Sequence, residues 1–164
     1  MNIIEVYQPT ATEKFLSDYL ISKNILEPWD LNIETLLSKL NLFVLRGDIS
    51  LALHDYGGIV LAHGLKKDTF IEKFHHELIH ILCHAGNQQH MQQSLIDRQE
   101  VQAKRNLIYT AIPYHMLKYI DFGSDTISND ILELFPSATK NIINNRMLII
   151  RDQLIQTHPS LVCN

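Results

Sequence analysis

The chain reads as an α+β protein that is mainly helical, with a small three-stranded sheet before its most informative helix and a helix-turn-helix-like pair at its C-terminus. Three observations carry this reading. A capping-box spacing, Thr10 to Glu13, opens a helical stretch near the N-terminus. Short apolar runs between residues 42 and 62 are broken by Gly47-Asp48 and by Asp55-Tyr56-Gly57-Gly58, the punctuation of strands and a hairpin. From Asp68 onward the apolar residues recur with helical spacing only.

Taken in order, the first helix is expected over Ala11 to Ser22. A Pro28-Trp29 turn follows, and Asp30 is placed to cap a second helix reaching Leu40. Leu42 to Arg46, Ile49 to His54 and Ile59 to Ala62 are the strands, expected as a simple meander. Asp68 is the expected cap of a helix running to Ala85, with Gly86 at its C-terminal end. A polar loop, Asn87 to Ser94, leads to helices near Arg98–Ala111, Pro113–Ile120, Asn129–Phe135 and Ala138–Gln156. Pro113 suits the start of its helix, where a missing N–H costs nothing.

Composition bounds the functional classes. A chain of 164 residues is the size of one domain, 1–164, with 121–164 as a packed C-terminal helical segment. With 46% hydrophobic and 20% charged residues, it can bury a core without disulfides. A net charge of −4 excludes a strongly basic nucleic-acid surface as the main theme, so no direct nucleic-acid binding is expected. The beginning of the chain lacks the basic and apolar blocks of a signal peptide, and no apolar run is long enough to span a membrane. Cys83 and Cys163 suit a reducing cytoplasm. Oligomeric state is not legible.

The chemistry lies in His76-Glu77-Leu78-Ile79-His80, an H-E-x-x-H pattern. Chance placement gives such a pattern only about 0.02 times in a chain of this composition. Residues four apart on a helix are rotated by about 40°, so both imidazoles face one way and can share a metal ion. Glu77, about 100° round from His76, stands beside that ion, where it can take a proton from water and deliver it to a leaving amine. On a helical projection, Phe70, Ile71, Phe74, Leu78, Ile81, Leu82 and Ala85 occupy an arc of about 120°, and His76, Glu77, His80 and His84 a separate one of about 100°. Two histidines leave zinc one protein ligand short of an open catalytic site. Glu100, twenty residues after His80, is the foremost candidate, with His84 and His90 as rivals. His84 lies about 80° round from His76 and suits a supporting or helix-end role better. The metzincin pattern is absent, because Cys83 and Gly86 stand where its glycine and third histidine would be.

Two stretches resemble the ImmA/IrrE-type metallopeptidases of bacteria, phages and mobile elements. Phe74-His-His-Glu-Leu-Ile-His-Ile-Leu-Cys-His84 is similar to that family's F-x-x-A-H-E-L-G-H-x-x-x-H region, trimmed just before the motif. Glu100-Val-Gln-Ala103, followed by Pro113, is similar to its E-x-x-A-N-x-F-A-x-x-L-L-M-P. The resemblance covers roughly residues 40–120 and departs from the pattern at Ile79 for Gly, Lys104 for Asn and Asn106 for Phe. It implies that His76, His80 and Glu100 hold Zn²⁺ and that Glu77 is the general base. It also implies a cytoplasmic endopeptidase whose partner and substrate is a helix-turn-helix repressor. Cleavage would then relieve repression of a phage, mobile element or stress regulon.

Two other functions compete. The same scaffold can act as a non-proteolytic antirepressor, although a pure binder has no need of Glu77. The C-terminal helix pair can bind DNA, but its second helix offers only Lys140, Arg146 and Arg151 as cations, so core packing is the preferred reading of that pair. Of the remaining polar groups, His54, His63 and His75 are expected as surface or satisfied core histidines, and Cys83 as a small packing residue. Tyr109 and Tyr114 are expected with their hydroxyls at a surface, an oxyanion-stabilising role being the alternative.

Overall fold

The fold comes from a computed structural model that describes residues 3–84 and 91–157. The helix expected to reach Ala85 ends at Cys83, because His84 turns to an extended conformation; the expected Gly86 cap, His90 and Cys163 lie outside the described residues. The observed class is the expected one: mainly helical α+β with a single three-stranded sheet among the described residues.

A short helix α1 (Ile3–Val6), unannounced by any cap or period, precedes α2 (Ala11–Ser22). Both halves of the capping box at α2 form: the Thr10 hydroxyl accepts from the Glu13 N–H, and the Glu13 carboxylate accepts from the Thr10 N–H. Asp30 does not cap the next helix. Pro28–Leu31 is a 3₁₀ turn, and the Asp30 carboxylate reaches back to the N–H groups of Leu26 and Glu27. Asn32 caps α3 (Ile33–Leu40) instead, accepting from the Glu34 N–H at 2.9 Å.

The strands are β1 (Phe43–Gly47), β2 (Leu51–Leu53) and β3 (Gly58–Ala62), in the order β1-β3-β2. The hairpin between β2 and β3 is present, closed by a 3₁₀ turn at His54–Tyr56 and by Gly57 in the left-handed conformation (φ 64°). The sheet is not a meander, for β1 pairs with β3 in parallel. The physical reason is burial. Gly58, Ile59 and Leu61 of β3 are buried, so the central position suits β3. The three-residue β2 takes an edge.

Helix α4 (Lys67–Cys83) follows, and α5 (Gln93–Asn106), α6 (Ile108–Ala111), α7 (Ile127–Leu134) and α8 (Lys140–Thr157) complete the chain. Lys66 is the N-cap of α4 and donates no side-chain cap, while Asp68 lies inside the first turn, where a negative charge complements the helix dipole. Helix α5 starts earlier than expected because Gln93 to Leu95 are exposed, and an exposed polar turn leaves no apolar period to read. Pro113 precedes a 3₁₀ segment, Tyr114–Tyr119, in place of an α-helix.

Helix α4 packs against β2 and β3 on one side and against α5 and α6 on the other. Residues 74 to 80 are therefore buried all round, more completely than a two-faced helix would be. At the other end of the core, α8 packs on α6 and α7. Its Arg146 is fully buried and donates to Glu13 at 2.5 Å and to the Tyr7 hydroxyl at 3.1 Å. Of the three cations judged too few to clamp DNA, one is thus a core residue, and α8 packs on the core as expected.

Candidate metal centre

Helix α4 supplies His76, Glu77 and His80 in the middle of its buried run, and α5 supplies Glu100 from across the interface. Glu100 Oε2 lies 3.1 Å from His76 Nε2, Glu100 Oε1 lies 3.1 Å from His80 Nε2, and the two Nε2 atoms are 3.2 Å apart. A tetrahedral zinc ion with bonds of about 2.0–2.1 Å holds its ligand atoms about 3.4 Å apart. The three side chains fit one ion in spacing and in chemistry, and among the described residues they form the cluster able to hold a metal. Sequence spacing had left His84 and His90 in contention. The structure brings Glu100 to the histidine pair and sets His84 behind His80, with the two Nδ1 atoms 2.9 Å apart.

The electrostatics suit ligation. Burial holds the His76 imidazole below its ordinary range against the pull of Glu100, and burial lowers His80 to about 4. Both rings are therefore neutral near pH 7, which leaves an imidazole lone pair free for a metal. Glu77 is buried beside them, and desolvation, reinforced by the Glu100 carboxylate and opposed by Lys73, pushes its carboxyl up to about 7. That value suits a proton carrier at neutral pH.

Glu77 and His80 form one wall of a cavity of about 350 Å³ whose other wall is Ile49 to Tyr56, including all of edge strand β2. Sequence reasoning did not single out this wall, because the expected meander put β2 at the centre of the sheet and not at its edge. His54 stands on it, half-buried, with its pKa lowered by burial, and it acts electrostatically on His80 and His84. Its placement in the cleft departs from the surface or core position expected. His63 is exposed, as expected. His75 faces the core, with Nδ1 2.8 Å from the Thr110 hydroxyl and Nε2 without a hydrogen bond. Cys83 is half-buried and packs against the core, as expected, and burial raises its thiol to about 11. Tyr109 is buried, not at a surface, with the Arg146 guanidinium 5.1 Å from its ring centre. Tyr114 is half-buried with its ring tilted against that of Tyr7, and neither Tyr109 nor Tyr114 lines the cavity.

A family model described as the IrrE N-terminal-like domain, a peptidase family, matches residues 30–147. That span runs from the turn before α3 into α8 and includes every residue of the cluster. The chain belongs to this family. The resemblance drawn from two short motifs therefore extends over most of the chain, and the family's peptidase character matches a site that can hold a metal ion. Comparison with curated proteins and with solved structures found no match. Among the described residues, no helix of this IrrE-like chain is long and apolar enough to cross a membrane.

Proposed function

We propose that the protein is a zinc-dependent endopeptidase of the cytoplasm that cleaves a helix-turn-helix repressor, releasing a phage, mobile element or stress regulon from repression. The observation that carries the hydrolytic reading is the convergence of His76, His80 and Glu100 beside a buried Glu77 that opens on the same cavity as His80. His76 Nε2, His80 Nε2 and the Glu100 carboxylate are the atoms that would hold the ion. When bound, zinc supplies Lewis acidity, polarising a peptide carbonyl and making water acidic enough to attack near neutral pH.

The chain's own residues do the rest. An extended stretch of substrate lies along the free edge of β2, where backbone groups are available for strand pairing. The cavity then presents the scissile bond to Glu77. Glu77 takes a proton from the attacking water as the new C–O bond forms, and gives it to the amine nitrogen as the C–N bond breaks. The repressor as target rests on the resemblance to the ImmA/IrrE-type metallopeptidases alone.

The test is Glu77→Gln, which keeps size and removes the base. Cleavage of a repressor encoded beside the gene and co-expressed with it should fall at least ~100-fold, the low end for losing a general base. Zinc content and melting temperature should stay those of the wild type. Normal cleavage by Glu77→Gln would show the base to be misassigned, and full derepression without cleavage would favour an antirepressor.

A further inference from the structure

We infer that His84 and Gln102 are positioning residues that select the metal-binding tautomer of His80 through a directed chain of hydrogen bonds. The inference rests on the metal-centre reading above and concerns atoms that reading does not use. His84 is the C-cap of α4, with extended backbone angles (φ −115°, ψ 136°) that end the helix and let its ring turn back on the outer edge of His80. The ring centres are 4.9 Å apart, and Nδ1 faces Nδ1 at 2.9 Å. Two imidazole nitrogens at that distance share one proton, so one donates and the other accepts.

Gln102 decides which. Its Oε1 lies 3.2 Å from His84 Nε2, and an amide oxygen can only accept, so His84 carries its proton on Nε2. A neutral imidazole has one N–H, so His84 Nδ1 is an acceptor. The donor across the 2.9 Å contact is then His80 Nδ1–H. His80 in turn has a bare Nε2, directed at His76 and Glu100, as metal ligation requires. In the reverse orientation, His80 would carry its proton on the ligating nitrogen.

The chain also ties the two supporting helices together. Glu100 and Gln102 are two residues apart on α5, so one helix provides both the carboxylate at the front of His80 and the amide anchoring its back. A shift of α5 along α4 therefore disturbs ligand and orienting chain together.

The experiment measures zinc affinity by chelator competition at pH 7.5 for the wild type, His84→Ala, Gln102→Leu and Gln102→Glu, with nitrogen NMR of the histidine rings in metal-free protein. Loss of an orienting partner weakens metal affinity roughly 10–100-fold. His84→Ala and Gln102→Leu should fall in that range, and Gln102→Glu, which keeps an accepting oxygen, should bind within about threefold of wild type on the same scale. Ring spectra of the wild type should show His80 protonated at Nδ1, and Gln102→Leu should mix the tautomers. Gln102 is exposed, so its variants test the idea even if His84→Ala misfolds. Wild-type affinity in a folded His84→Ala or in Gln102→Leu, or His80 protonated at Nε2 in the wild type, overturns the inference. Failure of the wild type to bind zinc, or binding unaffected by His76→Ala, would overturn the metal centre itself.

Discussion

Glu77 is the residue whose environment says most about how the site responds to pH. Its carboxyl is raised because burial and Glu100 both disfavour a second negative charge, whereas His80 is lowered because burial disfavours a positive one. The sign follows for activity. The base must be ionised and the imidazoles neutral, so activity is full above these pKa values and is lost as pH falls through the highest of them, which belongs to Glu77. A bound cation favours the ionised carboxylate, so the acid limb is expected at or below about 7, falling tenfold per pH unit. A pH profile of kcat/KM between 5 and 8 checks this. A limb that persists unchanged in residual Glu77→Gln activity would assign it to another group.

Among the elements, the β2–β3 hairpin has the most direct hold on the cleft, because its strand and turn form the wall opposite Glu77. Gly57 ends that turn at φ 64°, a conformation that costs a residue with a Cβ about 1–2 kcal/mol. Gly57→Ala should lower stability by about that amount. Gly57→Asn should cost less, since asparagine visits this region more readily. Urea unfolding of both variants decides, and equal losses would show that steric crowding, not backbone conformation, sets the cost. The hairpin was legible because Asp-Tyr-Gly-Gly between apolar runs is a local signal. The parallel placement of β1 was not, since it depends on which strand is most buried.

At the level of the whole molecule, the ends of the described chain are joined through a buried charge network. Tyr7 follows α1, Glu13 is on α2 and Arg146 is on α8, and Glu13 and Arg146 are fully buried. The Tyr7 hydroxyl donates to Glu13 at 2.8 Å and accepts from Arg146, whose guanidinium also lies over the Tyr7 and Tyr109 rings. Removing one partner of such a pair strands the other charge, at a cost of about 3–5 kcal/mol. Glu13→Leu should destabilise the protein by that amount in urea unfolding. Zinc stoichiometry in the folded variant should remain that of the wild type, because none of these residues belongs to the His76–His80–Glu100 cluster. Little loss of stability would mean that the network contributes specificity without net energy.

The local pattern of residues carried the class of fold, the position of the motif helix and the identities of His76, Glu77 and His80. Each of these depends on neighbours three or four positions away, and helical spacing alone sets their relative directions. Glu100 was the foremost of several candidates on spacing, and the resemblance strengthened that choice. The approach of its carboxylate to both imidazoles depends on how α5 lies against α4. The same holds for Arg146, whose charge on an otherwise ordinary helix gave no sign that Glu13, far away in the chain, would draw it into the core. His84 and Gln102 meet for the same reason. Contacts between elements are set by packing over the whole core, which no short window of sequence contains.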